Sequence, residues 1–146
     1  MKRILMALII ITAMPSAFAD SLEIPFHFQE KDHWCGQTSI KMVLDYYDID
    51  KTQTEIAWGM GKLGYTNFGD ILVYSHHQGL NAYVVDDFRP YAGIHPVIVF
   101  DDYFSHWIVL KGDNEEEYLF NDPGGNIVWS KTYEKEYKSI VVEVKS

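Results

Sequence analysis

The stretch Asp32-His33-Trp34-Cys35-Gly36-Gln37-Thr38-Ser39-Ile40-Lys41-Met42-Val43-Leu44-Asp45-Tyr46-Tyr47 decides how this chain is read. Ile40, Val43, Leu44 and Tyr47 fall at i, i+3, i+4 and i+7, which predicts a helix over residues 35–47 with one apolar face. Cys35 then stands at the helix N-terminus. A thiol attacks as its thiolate, and the positive end of a helix favours that anion. Gly36 lets another segment or a substrate approach closely. Asp32 and His33 make the entrance to the helix polar rather than a sealed apolar core. Cys35 is also the one cysteine in 146 residues, so no internal disulfide can form. A lone cysteine is more often a small buried hydrophobe than a nucleophile. Its surroundings must supply the chemistry.

Upstream of this stretch, Lys2 and Arg3 precede an apolar run over residues 4–13, and Ala17-Phe18-Ala19 has the small-x-small pattern of a signal-peptidase site. The run is about half of the roughly 20 residues a membrane span needs. Residues 1–19 are therefore expected to be a cleaved export signal, and residues 20–146 a single domain. The residue directly after Ala19 is Asp20 and not a cysteine, so a lipid anchor is not expected. Removing 19 of 146 residues leaves 127, with ten basic against 21 acidic side chains and a net charge of −11. Such an acidic chain is a poor partner for nucleic acid or an anionic membrane. An aromatic share of 15% points to a folded domain. The expected location is periplasmic or secreted, and oligomeric state is not legible.

Downstream, Thr52 and Glu55 form a capping-box pattern opening a short helix through Trp58 and Met60. A third helix is predicted over residues 68–78, with Gly79 at its stop. The chain then turns to short β-branched and aromatic runs at 81–85, 96–100, 106–111, 117–121, 126–130 and 139–144, separated by turn residues. Helices first and antiparallel strands afterwards predict an α+β domain.

The chemistry-bearing candidates follow the same order. Gln29, six residues before Cys35, carries two amide N–H donors, one of which can join the Cys35 backbone N–H against a developing oxyanion. A solvated surface glutamine is the competing explanation. Among six histidines, His106 opens the most apolar strand, His106-Trp107-Ile108-Val109-Leu110. It is the candidate base, against the alternative of a hydrogen-bonded core histidine. Adjacent His76 and His77 point apart on a helix, His95 precedes Pro96 in a loop, and no strand holds His27 or His33 in register. None has metal-ligand spacing, so neither metal nor cofactor is expected. Asp122 ends the strand that pairs back on the His106 strand and can fix the histidine tautomer. It is equally a turn former in Asp122-Pro123-Gly124-Gly125.

Gln29-x5-Cys35-Gly36, the His106-Trp-Ile-Val-Leu strand and Asn121-Asp122-Pro123-Gly124 together resemble the bacteriocin-processing, double-glycine leader peptidases, a branch of the papain-like cysteine peptidases. Residues 68–80 resemble the helix between that family's motifs, so the resemblance runs from Ile24 to Val144. It implies a papain-like fold, with helices packed on an antiparallel sheet. It also implies Cys35 as nucleophile, His106 as acid and base, Asp122 as its orienting group and Gln29 as oxyanion donor. Gln37 and Thr38 depart from the small or apolar residues common after Cys-Gly. The family's best-known members head membrane transporters with an ATPase domain, whereas this sequence carries an export signal and no nucleotide-binding motif. Leader removal coupled to transport is not expected.

The expected function is therefore an exported cysteine peptidase acting on a peptide or protein. Deamidation or transglutamination by the same residues, an exported toxin, and a peptide-capturing module with Trp34 and Trp107 exposed along a groove remain as alternatives.

Overall fold

A computed structural model describes residues 21–114, 116–125, 129–131 (backbone only) and 136–146. The expected signal at 1–19 and the first half of the strand expected at 126–130 lie outside them. Three helices come first, α1 (Cys35–Tyr46), α2 (Gln53–Met60) and α3 (Phe68–His77). Six strands follow, β1 (Leu80–Val85), β2 (Val97–Asp101), β3 (His106–Asp113), β4 (Tyr118–Asn121), β5 (Trp129–Lys131) and β6 (Ser139–Val144). They form one sheet in the order β1-β6-β2-β3-β4-β5, and every neighbouring pair is antiparallel. A 3-10 turn at Arg89–Tyr91, not foreseen from the sequence, crosses between β1 and β2. No described helix is long and apolar enough to cross a membrane.

Local chemistry fixes the helix ends. Thr52 Oγ1 accepts from the Glu55 N–H at 3.1 Å while the Glu55 carboxylate accepts from the Thr52 N–H at 2.8 Å, the capping box expected for α2. Asn67 and Asp70 make a second box at the start of α3, at 3.0 and 2.9 Å. Gly61 ends α2 with φ +68, a conformation open to glycine without steric cost.

The sheet is covered on both faces. Ile98, Trp107, Val109, Ile140 and Val142 face the helices. Val97, Val99, Ile108, Leu110 and Val141 face the opposite way, against Phe88, Phe120 and Tyr137. Burial on both faces is why β2, β3 and β6 read as unbroken apolar runs rather than alternating ones.

Helix α1 is buried far beyond one amphipathic face. Residues 35–40 and 42–44 are all buried, including Gln37, Thr38 and Ser39. Gln37 and Thr38 are admitted because they hydrogen-bond nearby groups, whereas Ser39 Oγ is buried without a partner. Gln37 Nε2 donates to the Lys62 and Gly64 carbonyls at 2.9 and 2.8 Å, so the departure after Cys-Gly seats the loop between α2 and α3. Trp34 and Trp107, expected to line an exposed groove, are instead 1% and 2% exposed. Each indole N–H reaches a carbonyl of that loop, Leu63 at 3.1 Å and Thr66 at 3.3 Å, so the rings can leave water without stranding a donor.

Gly36 serves this packing rather than a substrate. A Cβ there would stand 1.8 Å from Thr66 Oγ1 and 3.2 Å from the Trp107 ring. Gly36→Ala is expected to cost about 1–3 kcal/mol in denaturant unfolding, the usual range for overpacking. Adding Thr66→Ala, which removes the clashing oxygen, should recover part of that loss. Equal stability of Gly36→Ala and the parent would contradict the contact.

Candidate active site

Cys35 is the first residue of α1 and is 6% exposed. Helix geometry leaves its N–H without an intrahelical acceptor, and the first turn carries no acidic side chain to oppose an anion. His106 is the first residue of β3, beside α1. Its Nε2 stands 2.6 Å from Asp122 Oδ1, and Cys35 is the other group whose interaction raises the pKa of the ring. Asp122 follows β4 directly. The β3–β4 register pairs Val109 with Asn121, which brings the next residue back toward the start of β3.

Asp122 holds its own turn as well. Its Oδ1 accepts from the Gly124 N–H at 2.9 Å, so the turn-forming and histidine-binding roles coexist in one carboxylate. Gly125 makes room for it, since a Cβ there would lie 2.9 Å from Asp122 Oδ2. A Cβ on Gly124 would meet His106 Cε1 at 3.2 Å and Gln29 Oε1 at 3.3 Å, so this turn lies against both side chains. Gln29 is fixed to the same turn through its backbone, its N–H donating to the Pro123 carbonyl at 2.8 Å.

Cys35, His106 and Gln29 open together into a cavity of about 330 Å³ whose other walls are His33, Tyr65, Phe104, Ser105 and Gly124. The structure thus brings together all four residues singled out from the sequence. His33 and Tyr65 form part of its rim with ring centroids 4.2 Å apart and planes tilted by 34°, and exposed Phe104 forms another part. His33 (φ 66) and Ser105 (φ 51) are two of the three non-glycine residues in left-handed backbone among those described. Strained backbone of this kind gathers at working sites. This rim carries no clear mark in the sequence. His33 was set aside for want of a strand, and nothing in the Tyr65 or Phe104 neighbourhood marks them as wall residues.

The remaining histidines lie elsewhere. His27 pairs with Asp45 at 2.6 Å, His76 Nε2 is 2.9 Å from the Ala82 carbonyl, and His95 faces Glu143 at 3.5 Å. Among the described residues no group of three or more His, Cys, Asp or Glu side chains could hold a metal ion.

The electrostatics of His106 decide what the arrangement can do. Burial is the largest influence and disfavours the charged ring, but the hydrogen bonds to Asp122 and Cys35 and the charge on both outweigh it. The pKa rises from its ordinary 6.5 to about 9. The ring is therefore an imidazolium at neutral pH, able to support a neighbouring thiolate and to hand a proton to a leaving group.

Residues 21–143 match the family described as Peptidase_C39 like family. The chain belongs to this family. The Peptidase_C39 like family is one of cysteine peptidases, and solved peptidase domains share its fold. A double glycine motif protease from an AMS/PCAT transporter, solved in complex with its leader peptide, superposes with a TM-score of 0.74 at 21% identity. The match covers 86% of this chain and 94% of that one. The peptidase domain of Streptococcus ComA, a bifunctional ABC transporter, gives 0.74 at 14% identity over 84% and 100%. That of Streptococcus mutans ComA gives 0.57 at 15% over 80% and 97%. No curated protein matches the chain.

Because the folded pKa of His106 lies above its unfolded value, the protonated ring stabilises the fold fully below about 6.5, and the contribution is lost as pH rises through about 9. An NMR titration of the His106 ring should show a midpoint near 9. Asp122→Asn should move it down toward the ordinary range and flatten the alkaline loss of stability. An unchanged midpoint in that variant would contradict the assigned cause.

Proposed function

We propose that this chain is an exported cysteine peptidase using Cys35, His106, Asp122 and Gln29. One observation carries the proposal. Cys35 at a helix N-terminus lines one cavity with His106 and Gln29, and His106 is hydrogen-bonded to Asp122. Cys35 Sγ attacks the carbonyl carbon of a peptide bond. The oxygen that becomes negative is met by the Cys35 N–H and the Gln29 carboxamide. The His106 imidazolium gives its proton to the departing amine as the C–N bond breaks, leaving a thioester. His106, now neutral, takes a proton from water, whose oxygen attacks the thioester and releases the acid. Asp122 keeps the ring in the tautomer and orientation that both steps need.

The substrate we infer is a peptide segment lying against the rim formed by His33, Tyr65 and Phe104. The double glycine motif protease of similar fold was solved with a leader peptide, which supports a peptide substrate here. Lys2-Arg3, the apolar run and Ala17-Phe18-Ala19 support export and cleavage before Asp20. The exported product should then begin at Asp20 by mass spectrometry.

A library of internally quenched peptides, read by fluorescence and mass, tests the activity. The expected result is cleavage that vanishes in Cys35→Ala while the fold persists. A mass change of about one dalton, or a crosslink, would assign the same acyl-enzyme to deamidation or transamidation. Full turnover in Cys35→Ala, or tight peptide binding with no turnover, would refute the peptidase.

A further inference from the structure

The segment that brings Gln29 into the cavity lies outside the sheet, at residues 21–29. It is tied to the β3–β4 side of the molecule by scattered bonds. The Leu22 N–H donates to the Lys111 carbonyl at 2.9 Å, and Asn121 Nδ2 donates to the Ile24 and Pro25 carbonyls at 3.1 and 3.4 Å. On the α1 side His27 pairs with Asp45, near the end of the helix away from Cys35, at 2.6 Å, and none of these contacts fixes Gln29 itself against the end that carries Cys35.

Gln53 supplies that link. It opens α2, yet it is 2% exposed, unusual for a glutamine in the first turn of a surface helix. Its Nε2 donates to the Phe28 carbonyl at 2.7 Å, and its Oε1 accepts from the Glu30 N–H at 3.0 Å. Those two groups belong to the peptide units on either side of Gln29, so one side chain grips the backbone before and after it. The amide orientation is fixed by chemistry, because the Phe28 carbonyl only accepts and the Glu30 N–H only donates. Gln53 Oε1 also lies 2.7 Å from Thr38 Oγ1, three residues after Cys35 on α1. The Thr38 hydroxyl is in turn 2.8 Å from the Trp34 carbonyl, at the cap of that helix.

We propose that Gln53 is the positioning residue of the oxyanion site, registering Gln29 on the Cys35 helix so that its carboxamide stands where the substrate oxygen becomes negative. This rests on Gln29 as oxyanion donor in the proposed function. Gln53 touches neither substrate nor sulfur and acts only through Gln29.

Two reactions of the single thiol separate this role from a general structural one. Acylation by p-nitrophenyl acetate forms the Sγ–acyl bond and expels p-nitrophenolate through an oxyanion. Alkylation by iodoacetamide displaces iodide at a saturated carbon and develops no oxyanion. Gln29→Ala should slow acylation about 100-fold, within the roughly 10²–10³ that one oxyanion donor is worth. Gln53→Met should slow it about tenfold, the scale of a small misplacement of a catalytic group. Both should leave the alkylation rate and its pH profile unchanged. The double variant should be no slower than Gln29→Ala alone, because Gln53 has nothing else to act through. Should Gln53→Met not fold, Gln53→Leu, also without the donor to Phe28 and the acceptor for Glu30 and adding no charge, carries the same comparison. An undiminished acylation rate in Gln29→Ala would overturn the oxyanion role of Gln29, and this proposal with it. A normal Gln29→Ala loss overturns the proposal alone if the two losses multiply, or if the Gln53 variants slow both reactions alike.

Discussion

The depth at which α1 lies against β3 governs the rest of this molecule. Gly36 lets Thr66 and the Trp107 ring press onto the first turn of the helix, where any side chain would collide with them. That contact puts the sulfur of Cys35 beside the first residue of β3, and that residue is His106. The buried polar residues of α1 follow from the same closeness. Gln37 takes the carbonyls of Lys62 and Gly64, and Thr38 the side-chain amide oxygen of Gln53, from segments that lie close against the helix.

Around that contact the site gathers four separate segments, each held to another by a specific bond. His106 on β3 holds Asp122 after β4, and the turn at Asp122 and Pro123 holds the backbone of Gln29. Gln53 on α2 grips that backbone from the other side and reaches α1. The ring closes on Cys35. The chemistry follows from electrostatics inside this ring. Burial alone would leave His106 neutral, and the carboxylate and thiol beside it reverse that outcome. A histidine charged at neutral pH next to a thiol at a helix N-terminus is an arrangement for acyl transfer, and membership of a cysteine peptidase family fits it.

Much of this was legible in the chain, and for definite reasons. The i, i+3, i+4 pattern after Cys35, the Thr52/Glu55 box and the β-branched runs are local signals, so all three helices and the strands could be read before the fold was seen. The order glutamine, cysteine, histidine, aspartate was legible because motif spacing survives in sequence. What depended on long-range packing was not. Trp34 and Trp107 were expected at a groove and lie in the core, because the loop carbonyls that accept from their indoles are 29 and 41 residues away. Gly36 is read from the sequence as admitting either another stretch of chain or a substrate, and the structure fills the space with Thr66 and Trp107. Gln53 gave no signal, since a glutamine at the start of a helix ordinarily faces water, and only the return of residues 28–30 over it creates its partners. His33 was discounted for want of a strand, although a tight turn beside the helix can position a side chain as well.

The claim that Cys35 and His106 form a reactive ion pair is tested most directly by the rate of iodoacetamide alkylation across pH, in the parent protein and in His106→Ala. There is one thiol in the chain, so the signal has a single source. Fast alkylation at neutral pH in the parent, and a large loss of rate in the variant, is the expected result. Slow alkylation at the same rate in both proteins would mean an idle thiol and would contradict the account.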